Sequence, residues 1–361
     1  MKRVVAVFAV PLVACSLISL DDLGSGNASD ASDAKQQEGG CGDTTSSASN
    51  CGACGHDCLG GDCVASLCQA VPVAAIQSQP RALAVEGPTL FWIASSEIHR
   101  APTSLDAGTW TRVGKTGVAG LFDLTPASPT IHAIATPSPI YAVTVAEDEP
   151  ATGNPPASVG YVNTLGNVSS FAFDGGHQYL YTSSGACKGN TGWCILAFDD
   201  PQVASKRFAD DLAPSGVLTV DGSRVFYASD KTVGTFVYTD AQGTGTALAT
   251  TSETATSIAA DGAGVYVTNP TLGSILMIPR AGVLDGGAPA PIASGQKMPV
   301  ALAAGAGLVA WGAQDGLWAC DPKACKAQNV WKDATVSSIA IDSAAIYWTD
   351  SSRAGVYKIA R

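Results

Sequence analysis

The sequence is poor in charge. Only 14% of its 361 residues are Asp, Glu, Lys or Arg, and 46% are hydrophobic, against roughly 25% charged in an average soluble protein, so most of the chain is no disordered polymer. Basic residues are the scarcer sign: 20 Lys and Arg stand against 31 Asp and Glu, a net charge of −11. Beyond Lys2-Arg3 there is no basic run, which excludes a phosphate-neutralising surface and sets nucleic acid aside as a partner. Long apolar runs are missing too, since the stretch Val4–Ala14 falls short of the ~20 residues a membrane helix needs. Histidine is confined to His56, His99, His132 and His177, at spacings that build no His-x-x-x-His pair. Neither a Gly-x-Ser-x-Gly elbow nor a phosphate-binding glycine loop with Lys occurs, so serine-hydrolase and nucleotide chemistry lose their usual markers. This reading expects no catalytic residue, no metal site and no cofactor.

What is abundant is turn chemistry. The 39 Gly and 20 Pro are spread along the chain, which predicts frequent turns, few long helices and an all-β architecture. The N-terminus is an address: Met-Lys-Arg, the apolar Val4–Leu12 stretch, then small residues, the pattern of a secretory signal. Leu12-Val13-Ala14-Cys15 resembles the bacterial lipobox. That resemblance implies a lipoprotein signal peptide over 1–14, acylation of Cys15, and contact with the membrane through the lipid alone. Ser16 differs from the Asp that favours inner-membrane retention, so an outer-membrane or cell-surface destination is expected. An ordinary signal peptide, leaving a periplasmic or secreted protein, is the alternative. Residues 15–40 then form a tether, because the Ser, Gly and Asp of 21–40 accompany one large apolar side chain, Leu23.

Ten cysteines remain beyond Cys15. Cys41, Cys51, Cys54, Cys58, Cys63 and Cys68 crowd a module over 41–70; Cys187 with Cys194, and Cys320 with Cys325, each flank a Gly- or Pro-containing turn. An even number in an exported chain reads as disulfides, with connectivity in the module left open among 15 pairings. The rival reading is zinc on Cys51, Cys54, His56 and Cys58. Under the disulfide reading His56 is a solvent-exposed loop residue. The module resembles short Cys- and Gly-rich segments behind the lipidated N-termini of bacterial exported proteins.

Residues 71–361 repeat. Leu83-Ala84-Val85-Glu86, Phe171-Ala172-Phe173-Asp174, Leu218-Thr219-Val220-Asp221, Ile258-Ala259-Ala260-Asp261, Leu302-Ala303-Ala304-Gly305 and Ile339-Ala340-Ile341-Asp342 are versions of one segment. Each precedes a second apolar run, such as Leu90-Phe91-Trp92 or Ile346-Tyr347-Trp348, and usually a third and fourth, the signature of successive antiparallel strands. The units recur at roughly 40-residue intervals, the length of a propeller blade. One gap is twice as wide, and residues 119–163 fill it with a degenerate unit. Tyr347-Trp348-Thr349-Asp350 spells the motif of the YWTD β-propellers, and the Asp-Gly-x-x-[Val/Ile]-Tyr pattern is similar to the NHL repeat. The expected fold is therefore a seven-bladed β-propeller preceded by the disulfide-rich module, six blades being the competing count if 119–163 is an insertion. Pro72-Val73-Ala74-Ala75-Ile76-Gln77 matches a fourth strand, so it is expected to close the last blade.

The recurrent acids Glu86, Asp174, Asp221, Asp261 and Asp342 read as turn residues. Trp92, Tyr181, Tyr227, Trp311 and Trp348 read as packing between units. By the propeller resemblance, a ligand site lies at one end of the central channel, where Arg81, Ser169, Thr256 and Ser337 hold equivalent positions. The expected function is a monomeric cell-envelope binding protein for an extracellular protein, peptide or glycan. The alternatives are a Ca²⁺- or Mg²⁺-dependent propeller hydrolase or lyase, and a structural envelope protein.

Overall fold

In the computed structural model the described residues are 42–76, 80–104, 110–115, 121–127, 130–135, 140–146, 158–162, 167–183, 187, 192–198, 206–239, 245–283 and 288–361, by backbone alone at 114–115, 122, 127, 135, 140–146 and 158–162. The expected signal peptide, Cys15, the tether and Cys41 lie outside them. Residues Cys41–Arg361 form one compact unit, module included.

The described chain is built from strands. The module contributes a hairpin, β1 (Cys63–Val64) with β2 (Leu67–Cys68), and β3 (Val71–Ala75) follows it. Seven four-stranded antiparallel sheets then account for the rest. The first is β4 (Pro80–Glu86), β5 (Thr89–Ala94), β6 (Glu97–Pro102) and β7 (Thr111–Lys115). The second, from the degenerate unit, is β8 (Leu121–Ala127), β9 (Thr130–Ala135), β10 (Ile140–Ala146) and β11 (Ser158–Val162). The third is β12 (Val168–Phe173), β13 (Gln178–Ser183), β14 (Trp193–Phe198) and β15 (Lys206–Leu212). The fourth is β16 (Val217–Asp221), β17 (Arg224–Ser229), β18 (Thr232–Val237) and β19 (Thr246–Thr250). The fifth is β20 (Ile258–Ala260), β21 (Val265–Asn269), β22 (Ser274–Ile278) and β23 (Ala290–Ala293). The sixth is β24 (Ala301–Gly305), β25 (Leu308–Ala313), β26 (Gly316–Cys320) and β27 (Gln328–Lys332). The seventh takes β28 (Val336–Ile341), β29 (Ala345–Asp350) and β30 (Gly355–Ala360) from the end of the chain and β3 from its beginning.

Position in the sheet explains composition. Second strands such as β21, Val-Tyr-Val-Thr-Asn, are buried at every residue because both faces meet a neighbouring sheet. Fourth strands such as β19 expose three of five residues. The apolar core is accordingly divided into seven clusters, each shared by two adjacent sheets; one joins Phe226 and Val233 of the fourth sheet to Val265 and Ile278 of the fifth. The innermost strands touch in the order β4, β8, β12, β16, β20, β24, β28 and back to β4, so the ring closes. The closing strand is the one the matching of Pro72–Gln77 indicated: β3 pairs with β30, Val71 opposite Lys358 and Ala75 opposite Gly355.

The aromatic positions need one correction. Trp92, Tyr227, Trp311 and Trp348 pair with Leu83, Leu218, Leu302 and Ile339, but in the third sheet the equivalent residue is Leu180, opposite Phe171. Phe171 and Leu180 are separated as Leu83 and Trp92 are, so Tyr181 falls one residue beyond that station, and its hydroxyl donates to Ser229 Oγ at 2.8 Å.

The module is cross-linked by Cys51–Cys63 and Cys58–Cys68, and Cys54 is also disulfide-bonded. Cys187–Cys194 and Cys320–Cys325 bridge the two loops. The module is no isolated bead, because its cystines share one apolar cluster with Leu317, Trp348 and Ile359 of the sixth and seventh sheets. His56 is half-buried rather than exposed, its Nδ1 2.5 Å from the Cys51 carbonyl oxygen.

Candidate functional site

A repeated irregularity prepares the site. Where β4, β8, β12 and β28 begin, pairing with the second strand slips by a bulge, between Pro80 and Leu83, Leu121 and Asp123, Val168 and Ser170, and Val336 and Ser338. A bulge leaves backbone groups off the ladder and turns side chains toward new partners. At three of these bulges the side chain accepts an amide from the inner strand of the adjacent sheet. Ser338 Oγ accepts from Leu83 N at 3.0 Å, Asp123 Oδ2 from Phe171 N at 3.3 Å, and Ser170 Oγ from Leu218 N at 3.0 Å. These three residues occupy one register position in their sheets, so a side-chain oxygen on one inner strand latches the next.

These strand starts surround a cavity of about 500 Å³, within the range of small-ligand sites. Of the residues expected at the mouth, Arg81, Ser169 and Ser337 line it, whereas Thr256 does not. Thr256 Oγ1 lies 3.0 Å from Thr268 Oγ1 within its own sheet. Ser169 Oγ donates to Gly216 O at 2.7 Å, and Ser337 Oγ lies 3.3 Å from Pro80 O and 2.7 Å from Thr349 Oγ1. Arg81 is exposed, and its guanidinium has no hydrogen-bond or ion-pair partner among the described residues.

The residue that sequence reasoning missed is Asp123, which lines the same cavity. It is partly open to the channel yet deep in the protein, and loss of bulk water pushes its carboxyl up to about 7. Two backbone amides, Leu124 N at 2.9 Å and Phe171 N, pull the other way and do not offset burial. Its unit is the degenerate one, so only alignment of β8 with β12 and β28 reveals Asp where they carry Ser170 and Ser338.

The histidines do other work. His99 stacks on Trp92 and His132 on Phe173, and burial pushes both imidazoles below their usual range, His132 to about 4. His177 pairs with Asp174 at 3.1 Å and stacks on Tyr238. Among the described residues one trio has metal-ligand proximity, Cys51, Cys58 and Cys68, and its sulfurs are already committed to disulfides rather than available as thiolates.

No family profile and no curated protein sequence matches the chain. Solved structures are similar in fold. The WD40 β-propeller domain of Doa1 is 11% identical, with TM-score 0.57, over 80% of this chain and 96% of that one. A streptogramin B lyase is 10% identical, with TM-score 0.56, over 81% and 96%. PorZ, a surface component of the type-IX secretion system of Porphyromonas gingivalis, is 12% identical, with TM-score 0.53, over 80% of this chain and 37% of that one. At such identities the likeness speaks for architecture alone. With seven four-stranded antiparallel sheets in a closed ring, the fold of this chain is that of a β-propeller.

Proposed function

We propose that this chain is an exported, lipid-anchored cell-envelope protein whose seven-bladed β-propeller binds an extracellular ligand at the channel mouth. The observation that carries the reading is the cavity: Arg81, without a partner among the described residues, and the half-buried carboxyl of Asp123 face it among small hydroxyl side chains. Titratable groups held away from their ordinary range cluster at functional sites, and Asp123 is such a group in a cleft. Disulfides in the module and in two sheet loops support export, since they persist in oxidising compartments.

Two measurements test the reading. Intact-mass analysis of membrane-extracted protein is expected to show an acylated N-terminal Cys15 with the other ten cysteines oxidised. An unlipidated chain sinks the anchor and makes the protein periplasmic or secreted. Binding of envelope glycans and peptides by the wild type and by Arg81→Gln is expected to differ; equal binding moves the site elsewhere. Saturable Mg²⁺ or Ca²⁺ binding that Asp123→Ser abolishes would instead favour the metal-dependent hydrolase or lyase. A chain with no specific ligand, whose loss affects only envelope integrity, is the structural protein.

A further inference from the structure

The register position that holds Asp123 shows what the ring itself requires there. Ser170 and Ser338 latch the next sheet with a neutral hydroxyl, and Ala82, Val217 and Ala301 stand at the same station with no side-chain oxygen at all. A carboxyl at 123 is thus more than the latch needs, and burying it is unfavourable. It shares the cavity with Arg81 of the adjacent inner strand β4, whose guanidinium has no partner among the described residues.

The remaining polar lining is complementary to hydroxyl groups. Ser170 and Ser338 use a lone pair on an amide and keep a hydrogen to donate. Ser169 and Ser337 spend the hydrogen on neighbouring oxygens and keep lone pairs. One guanidinium fork suits one carboxylate, held by paired N–H donors. The volume, about 500 Å³, suits a mono- or disaccharide. Resting on the channel-mouth reading above, we infer that the cavity takes a small acidic sugar, its carboxylate on Arg81 and its hydroxyls among Ser169, Ser170, Ser337 and Ser338.

Asp123 makes this binding pH-dependent. Ionised, it repels the bound carboxylate; protonated, it offers a hydrogen to the sugar. Of the strands packed on β8, β5 and β12 carry no titratable side chain. Strand β4 carries Arg81 and Glu86 near its opposite ends, and β9 carries His132, stacked on Phe173.

The test is calorimetric titration of the full exported chain with D-galacturonate and D-glucuronate, and with neutral D-galactose and D-glucose, at pH 6 and pH 8, where the uronates stay ionised. A uronate is expected to bind at least about tenfold more tightly than its neutral counterpart and more tightly at pH 6 than at pH 8. Arg81→Gln, at an exposed position, is expected to lose that preference with an unchanged melting temperature. Asp123→Ser, which keeps the latch in the form of Ser170, is expected to flatten the pH dependence. Absence of uronate binding at millimolar concentration, or wild-type affinity in Arg81→Gln, overturns the inference. The two readings fail separately: capture of a neutral glycan or peptide in an Arg81-dependent manner, without uronate binding, overturns the acidic sugar and keeps the mouth as a site.

Discussion

Asp174, Asp261 and Asp342 show what a repeat asks of one side chain. Each ends an inner strand, takes two backbone amides of the following turn on Oδ1, and receives the hydroxyl of the tyrosine five residues on, Tyr179, Tyr266 or Tyr347. Where the aromatic is Phe226 the partner changes, and Asp221 is held by Arg280 instead. Tyr347→Phe removes one of three bonds to Asp342 and is expected to cost about 1 kcal/mol in urea unfolding, less than Asp342→Ala, which removes all three. Asp123 obeys a different rule. Its folded carboxyl titrates at about 7, above the ~3.9 of an unfolded Asp, so the folded state holds the extra proton between those values. Stability from this group is present at low pH and falls as pH rises from about 4 to 7. His99 and His132, whose imidazoles burial pushes down, act in the opposite direction as pH falls below ~6.5. The diagnostic is therefore the difference between wild type and Asp123→Ser: the variant's melting temperature should gain on the wild type from pH 4 to pH 7 and run parallel above it. The role of the turn acids was legible because Asp recurs before Gly or Ser at a fixed station. Asp123 was not, because its unit lacks that marker and only β-bulge register aligns it.

At the scale of the strand, alternation and turn residues were enough to place most of the sheets, including Thr130–Ala135 and the start of the next strand at Ile140 in the degenerate unit. They could not place the bulges, since an extra residue leaves hydrophobic periodicity intact beyond it. This is why four equivalent residues in sequence diverge in space: Arg81, Ser169 and Ser337 reach the cavity from bulged strands, while Thr256 precedes β20, whose pairing with β21 is in register throughout. Strand β3 carries the heaviest structural consequence. Without it β30 becomes an open edge, a template for intermolecular pairing. A chain begun at residue 78 is expected to self-associate in light scattering, and a peptide of residues 69–77 added in trans is expected to suppress that. Persistently monomeric truncated protein would show that closure is not what keeps the edge covered.

Across the whole unit, the seven shared clusters make each sheet depend on two neighbours, and the cluster between the sixth and seventh sheets depends on the module as well. Replacing Cys51 and Cys63 together by Ser is expected to lower the melting temperature of the propeller, because Trp348 and Ile359 lose packing when the module loosens. A change confined to the module's own proteolytic sensitivity would show instead that the sheets stand alone. The same arrangement determines how the molecule bears mechanical load. Tension on the N-terminal segment enters the described chain ahead of the cystines, crosses Cys51–Cys63 and Cys58–Cys68, and reaches the closing strand only three residues after Cys68. With the module packed on the sixth and seventh sheets, force on that segment would spread into them before it could peel β3 from β30. Reducing the cystines should therefore lower the force at which the ring opens.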